Sequence, residues 1–422
     1  MRGFNKERTF FERGRSLSKM SNSFPYIYQA RQNVSQVVDE IVIGIKTHPY
    51  YLAGKPMIFN VSKPPIAVIL GKRGTGKTVL MKTILSELFY GGYLVMVIPD
   101  PRNEYSLAKY PIQPVFYKNI NPERQDPSFL TGIETNAFSP LFFSTLNYGK
   151  LPEGTKPFQF DVKDADERDW IKLLNLEQSG LYAQLRAFRS FYLNTLNMPS
   201  EKTTEYLQNI TNEKLPGIQF PTKEKLQENI RQLFRVGVFG SRYKLDLVKS
   251  LLSGIVAICT EGNEGVEDTL YKETIAMLFR KLFFLKRDNS QIKNKRLALF
   301  HEEAWDIMPS MGEPPSKTEG TRLARLGRIN YIAQYMNYQY LGDVPLFFKE
   351  QASVAFFNGS LSQNLQDEVM DKFNVSEDAR EQLMFFPLKE RNNVREWAMV
   401  TEGKMERFIP YAPTIMLKLQ VK

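Results

Sequence analysis

Cysteine and histidine are nearly missing from this 422-residue sequence, which holds one cysteine, Cys259, and two histidines, His48 and His301. A single thiol excludes an internal disulfide framework, and so few Cys and His side chains exclude a zinc site built on them. Long apolar runs are missing too. No stretch approaches the roughly 20 apolar residues that a membrane-crossing helix needs, and the first residues carry charge in place of an apolar signal core. The expectation is a reducing, cytoplasmic setting with no membrane span. Internal repeats and low-complexity tracts are also lacking, which excludes a solenoid.

What is present is core material and an excess of positive charge. Hydrophobic residues make up 42 % and aromatics 13 %, enough for a globular fold. The length exceeds what one core fills, so one enlarged domain or two compact units are expected. A formal net charge of +10 favours a polyanionic partner without identifying it. Part of that charge lies near the N-terminus, where Arg2, Lys6, Arg8, Arg13, Arg15 and Lys19 are interspersed with Phe4, Phe10 and Phe11. This segment reads either as a basic arm or as a frayed terminus.

The first motif that carries chemistry follows an apolar strand pattern, Ile66-Ala67-Val68-Ile69-Leu70, and precedes Leu80, Ile84, Leu85 and Leu88 at helical spacing. Between them, Gly71-Lys72-Arg73-Gly74-Thr75-Gly76-Lys77-Thr78 fits G-x-x-x-x-G-K-[ST] in full. Glycines let successive N–H groups curl toward phosphate oxygens, and the helix that follows presents its positive end. The expected nucleotide-binding set is therefore Gly71, Arg73, Gly74, Thr75, Gly76, Lys77, Thr78 and Val79. Lys77 is expected to reach the β- and γ-phosphates of ATP, and Thr78 to offer its hydroxyl to Mg²⁺. The bland alternative, an ordinary strand-to-helix turn, loses to the strand–loop–helix context. No N-K-x-D tetrapeptide marks a guanine site.

A second apolar strand, Leu297 to His301, ends in Glu302-Glu303. Ligands collect at the carboxyl ends of strands in a parallel sheet, so this strand can deliver two acids beside the phosphate loop. Glu302 is expected on the Mg²⁺ side and Glu303 on the attacking water, although the residues alone leave open which of the two is the base. His301 reads as a packed strand residue. Downstream, Arg322, Arg325 and Arg328 precede a strand pattern over Asn330 to Gln334. Gln334 is the candidate γ-phosphate sensor at that strand's end. Arg328 is the candidate finger for a neighbour's nucleotide, while Arg322 and Arg325 read as a solvated helix face. Arg186 and Arg189 read equally as channel residues or as a solvated face.

Alternating strands and helices imply an α/β core. The chain divides into residues 1–60, a short N-terminal region with the basic arm; 61–121, the first part of an ATPase core; 122–249, a mainly helical insertion; and 250–422, the second part with strands at its C-terminal edge.

With these residues in place, the chain resembles the HerA/FtsK superfamily of P-loop motors, nearest to its HerA-like branch. The resemblance rests on Gly71 to Thr78, on Glu302-Glu303-Ala304 with an aromatic after it, and on Gly327-Arg328 leading toward Gln334. Weaker echoes are Asp100-Pro-Arg-Asn-Glu104-Tyr105 and Asn136-Ala-Phe-Ser-Pro140-Leu141. It implies a RecA-like P-loop NTPase core of the additional-strand, catalytic-glutamate type, with Glu303 catalytic and Arg328 acting across a subunit boundary. It also implies ATP and Mg²⁺ as cofactors, a homo-oligomer forming a hexameric ring, duplex DNA as partner and a possible companion nuclease. The region before residue 60 departs from the pattern, being short for the N-terminal β-barrel such relatives carry. The resemblance implies repair or end-processing, and a motor reduced in this way also suits a viral or mobile-element role in DNA transfer or packaging. Two other readings fit the same residues: an ATPase energising protein export or conjugative assembly, as in type IV secretion, and a nucleotide-dependent scaffold without appreciable turnover.

Overall fold

The computed structural model describes residues 37–48, 53–125, 132–146, 150–176, 182–213, 218–261, 266–385, 387–391 and 394–415. The basic arm lies outside the described residues. The strands are β1 (Glu40–His48), β2 (Pro56–Asn60), β3 (Ile66–Leu70), β4 (Leu94–Asp100), β5 (Thr135–Pro140), β6 (Lys156–Phe158), β7 (Ile255–Cys259), β8 (Leu297–His301), β9 (Ile332–Tyr338), β10 (Val354–Asn358), β11 (Glu390–Arg391), β12 (Val394–Arg395), β13 (Trp397–Thr401) and β14 (Lys404–Pro410). The helices are α1 (Lys77–Tyr90), α2 (Leu141–Leu146), α3 (Glu167–Leu173), α4 (Tyr182–Leu193), α5 (Ser200–Gln208), α6 (Phe220–Val236), α7 (Leu247–Ser253), α8 (Asp268–Asp288), α9 (Ala304–Ile307), α10 (Pro315–Asn330), α11 (Leu346–Gln351), α12 (Gln363–Lys372) and α13 (Glu377–Phe385).

Twelve strands form one sheet in the order β2-β1-β14-β13-β10-β3-β9-β8-β4-β7-β5-β6. From β10 to β6 every neighbouring pair is parallel, and from β10 to β2 every pair is antiparallel. Every residue of β3, β4, β7, β8, β9 and β10 is buried. These strands are apolar without alternation because helices cover both of their faces. Leu80, Met81, Ile84, Leu85 and Leu88 of α1 pack with Ala67 and Ile69 on one face. On the other, Phe279 and Leu282 of α8 and Leu323 of α10 pack with Val68 and Leu70.

Two connections position the site. First, β9 is inserted between β3 and β8, so the strand leading into the phosphate loop and the strand ending in the acids are separated by one strand. Their register keeps the ends close to level: Ile69 faces Asn337 and Leu70 faces Tyr338, while His301 faces Met336. Second, the chain between β4 and β7 runs through α2 to α7 and also adds β5 and β6 to the sheet. Trp170 of α3 anchors this stretch by stacking on Phe239 at 4.4 Å. The Asp169 carboxylate beside it accepts from the Arg280 guanidinium of α8.

The C-terminal strands differ from their expected edge position. β13 and β14 lie inside the sheet, between β10 and β1, and β2 forms that edge. The physical reason is visible in β13, where Trp397, Ala398, Met399 and Val400 are all buried and need covering neighbours. Among the described residues no helix is long and apolar enough to cross a membrane.

Candidate functional site

The phosphate loop is shaped by glycines. Gly74 and Gly76 hold φ of 78° and 88°, a left-handed backbone that side-chain-bearing residues adopt at a cost. Gly76 caps α1 without any side-chain cap, and the first turn of that 14-residue helix carries no acid. Its N–H groups and positive end therefore face the loop with no acid of the helix's own first turn in competition. Thr75 donates to the Lys72 carbonyl at 2.7 Å, Asn358 of β10 donates to the Thr75 carbonyl at 3.0 Å, and Lys72 N–H donates to Ser360 at 3.1 Å. Arg395 of β12 donates to the Gly74 carbonyl. Arg73 is exposed at the tip, and Val79 follows Thr78 in the first turn of α1. The Lys77 ammonium donates to the carbonyls of Gly71 and Lys72. Burial lowers its pKa to about 8, against the pull of Glu302 and Glu303.

The acids arrive from β8. Glu302 is buried and its two oxygens are fully engaged: Tyr105 donates at 2.6 Å to one, and Asn337 at 2.7 Å and Thr78 at 3.4 Å to the other. Burial drives its pKa up to about 7, opposed by the Tyr105 and Asn337 hydrogen bonds. Glu303 turns away with φ 49° and ψ 49°, and its partly exposed carboxylate pairs with the Arg102 guanidinium. The two neighbours thus occupy different environments. His301 is buried and neutral: burial takes its pKa down to about 4, and its Nδ1 lies 2.6 Å from the Ile98 carbonyl.

Thr78 and Glu302 make a hydroxyl–carboxylate pair beside the loop, which fits Mg²⁺, an ion held through one or two protein oxygens together with phosphates and water rather than by a protein cage. Among the described residues no group of three or more His, Cys, Asp or Glu could hold a metal by itself.

Gln334 is not where the sequence reading put it. β9 continues to Tyr338, so Gln334 is its third residue, level with Leu299 of β8 and Ile66 at the start of β3, far down the strand from the loop. Asn337 holds the strand-end position and touches Glu302. The polar Gln334 does not end the strand, because both faces of β9 are buried and its polar residues continue it. Arg328 is exposed near the end of α10, at the edge of the sheet where β9 begins, opposite its own phosphate loop. Among the described residues it has no hydrogen-bond or ion-pair partner. Arg322 and Arg325 lie over the Phe283 and Phe347 rings, each at 5.0 Å. Arg189 pairs with Glu167 at 2.7 Å.

Five side chains at the site were missed: Arg102, Tyr105, Asn337, Asn358 and Arg395. The stretch from Asp100 to Tyr105 held a signal for the first two. The Asp100 carboxylate accepts the N–H groups of Glu104 and Tyr105, both at 2.9 Å, which turns the chain so that Arg102 and Tyr105 meet the acids of the neighbouring strand.

A phosphate loop on one strand, acids on the strand two places away and an extra strand between them define a RecA-like P-loop NTPase fold of the additional-strand type. The chain belongs to the family described as the central domain of the helicase HerA, which matches residues 67–296, over half its length; it is a P-loop ATPase of HerA/FtsK type. The match stops just before β8, so the acids are located by the structure alone. No curated protein matches the sequence. Among solved structures, VirB4 of Thermoanaerobacter pseudethanolicus is similar in fold, with a TM-score of 0.50 at 15 % identity over 92 % of this chain and 99 % of that one. The bacterial conjugative coupling protein TrwB gives 0.48 at 11 % identity, over 93 % of each chain. The genome packaging NTPase B204 of Sulfolobus turreted icosahedral virus 2 gives 0.27 at 13 % identity, over 40 % of this chain and 76 % of that one.

Proposed function

We propose that this protein is an ATP-hydrolysing motor that assembles as a hexameric ring and translocates on duplex DNA. The observation that carries the reading is the approach of Thr78 to Glu302 at 3.4 Å, which joins the loop and the acid strand into one site. Lys77 leaves the loop carbonyls for the β- and γ-phosphates. Thr78 and Glu302 would hold Mg²⁺, which would supply neutralisation of charge on the phosphates. Glu303 orients the attacking water and takes its proton, and Asn337 links the terminal phosphoryl group to the end of β9. Arg328, exposed on the opposite edge, serves a neighbouring subunit's nucleotide. The net charge of +10 suits a phosphate backbone.

The test is ATP turnover of the full chain with and without duplex DNA over a salt series. Turnover is expected to rise with DNA, and the stimulation to fade steeply as salt rises. Glu303→Gln is expected to bind ATP while losing turnover by about 10²-fold or more. Turnover indifferent to DNA sinks the translocation reading, and a Glu303→Gln variant that still hydrolyses ATP sinks the assignment of the base.

A further inference from the structure

Arg102 stands two residues beyond the end of β4, whose neighbour is β8, with Val97 level with Phe300. Topology therefore brings it to the same sheet edge as Glu303, 201 residues later in the chain, and the two side chains form an ion pair. Its backbone is firmly held: Asp100 accepts from Glu104 and Tyr105 on one side of the turn, and Asn103 donates to the Glu153 carbonyl at 2.8 Å. Its side chain is open, at 36 % exposure against 29 % for Glu303. The contrast with the pairs Arg124–Glu87 and Arg407–Glu396 is sharp, since all four of those side chains are 6 % exposed or less. A pair as open as Arg102–Glu303 shifts an equilibrium by at most about fivefold.

The same guanidinium acts electrostatically on Lys77, and both cations are drawn to Glu303. Burial is the main cause of the lowered Lys77 pKa, Glu302 and Glu303 oppose it, and Arg102 adds to the lowering. Two cations thus border one volume, and a polyphosphate is the ligand that removes their repulsion. A guanidinium prefers a phosphoryl group to an exposed carboxylate, because two parallel hydrogen bonds to a fully charged acceptor form in a less hydrated place. Beyond that ion pair, Glu303 occupies the cap position of α9 without capping it and holds a left-handed backbone rare for a residue with a side chain.

We propose that Arg102 exchanges partners, holding the Glu303 carboxylate while the loop is empty and moving to the terminal phosphoryl group when ATP arrives, which frees Glu303 for the attacking water. This inference rests on the reading of Glu303 as the base. Arg102 is then the residue that distinguishes ATP from ADP and couples occupancy of the loop to readiness of the base.

Binding of ATPγS and of ADP to the full chain with Mg²⁺ tests it, using Arg102→Ala, Arg102→Lys, Glu303→Gln and the Arg102→Ala/Glu303→Gln double variant, with turnover measured alongside. Arg102→Ala is expected to weaken ATPγS about tenfold and to leave ADP unchanged. Arg102→Lys should recover part of the discrimination. Glu303→Gln should tighten ATPγS several-fold, and the double variant should lose that gain, because the two positions compete for one guanidinium. Equal weakening of ATPγS and ADP, or additive effects in the double variant, overturns the exchange while leaving the motor reading intact. Undiminished turnover by Glu303→Gln removes the base assignment and the exchange with it.

Discussion

Two neighbouring carboxyl groups at the end of β8 meet unlike surroundings, and that difference has a consequence for the empty protein. Burial lifts Glu302 to about 7 and, one strand over, Asp100 to about 6. A carboxyl whose pKa is raised on folding keeps its proton in the native chain over a window where the unfolded chain has lost it. The unfolded state then binds fewer protons, and stability falls as pH rises. For Glu302 the window runs from its ordinary 4.5 to about 7. His301, lowered to about 4, contributes in the opposite direction up to its ordinary 6.5, so the two acids together are expected to leave a net drop of roughly a few degrees in the thermal midpoint of the nucleotide-free protein from about pH 5 to about pH 7.5. Glu302→Gln should show a shallower slope by circular dichroism, because one of the titrating groups is gone; equal slopes mean that Glu302 does not titrate in that window. Some of this site was legible in the sequence. The phosphate loop and the two acids are marked by residue type and local order alone. Asn337 was not legible, because the local pattern does not mark where β9 ends, and Arg102, although it lies in a marked stretch, acquires its role only from the pairing of β4 with β8.

Elements of this fold are placed as much by close backbone approach as by apolar faces. α10 ends against β9 at Gly327, where a Cβ would come within 2.7 Å of the Ile332 carbonyl oxygen. In an exposed helix, replacing glycine by alanine adds about 1 kcal/mol of stability. Here the sign is expected to reverse: Gly327→Ala should lose about 1–3 kcal/mol, as overpacked sites do, measured by urea unfolding. A gain would mean that the helix end shifts freely, and with it the neighbouring Arg328. The core strands β3, β4, β7, β8 and β10 were readable as short continuous apolar runs, and α8 as a stripe of Ile275, Leu278, Phe279, Leu282 and Phe283. The order of strands was not. Nothing in the local pattern of Trp397 to Thr401 says that it sits between β10 and β14, because pairing across hundreds of residues is decided by the whole layer.

At the scale of the whole molecule, the exposed Arg328 and its own phosphate loop lie on opposite edges of the sheet. In a head-to-tail ring each site would combine Lys77 of one copy with Arg328 of the next. Lys77→Ala and Arg328→Ala chains are each expected to be inactive alone. Mixed in equal amounts before assembly, they should regain about a quarter of the wild-type turnover per site, since random neighbours pair two intact residues that often. A mixture as dead as its components would mean that Arg328 does not work across the boundary. The antiparallel wing carries a different implication, for biogenesis. β1 is hydrogen-bonded to β14, with Gly44 beside Pro410 and Ile45 beside Ile409. During synthesis the flank of β1 from Gly44 to His48 must therefore wait unpaired until β14, more than 350 residues later, has left the ribosome. Premature termination before residue 404 would leave a bare apolar strand edge, ready to zip onto another chain.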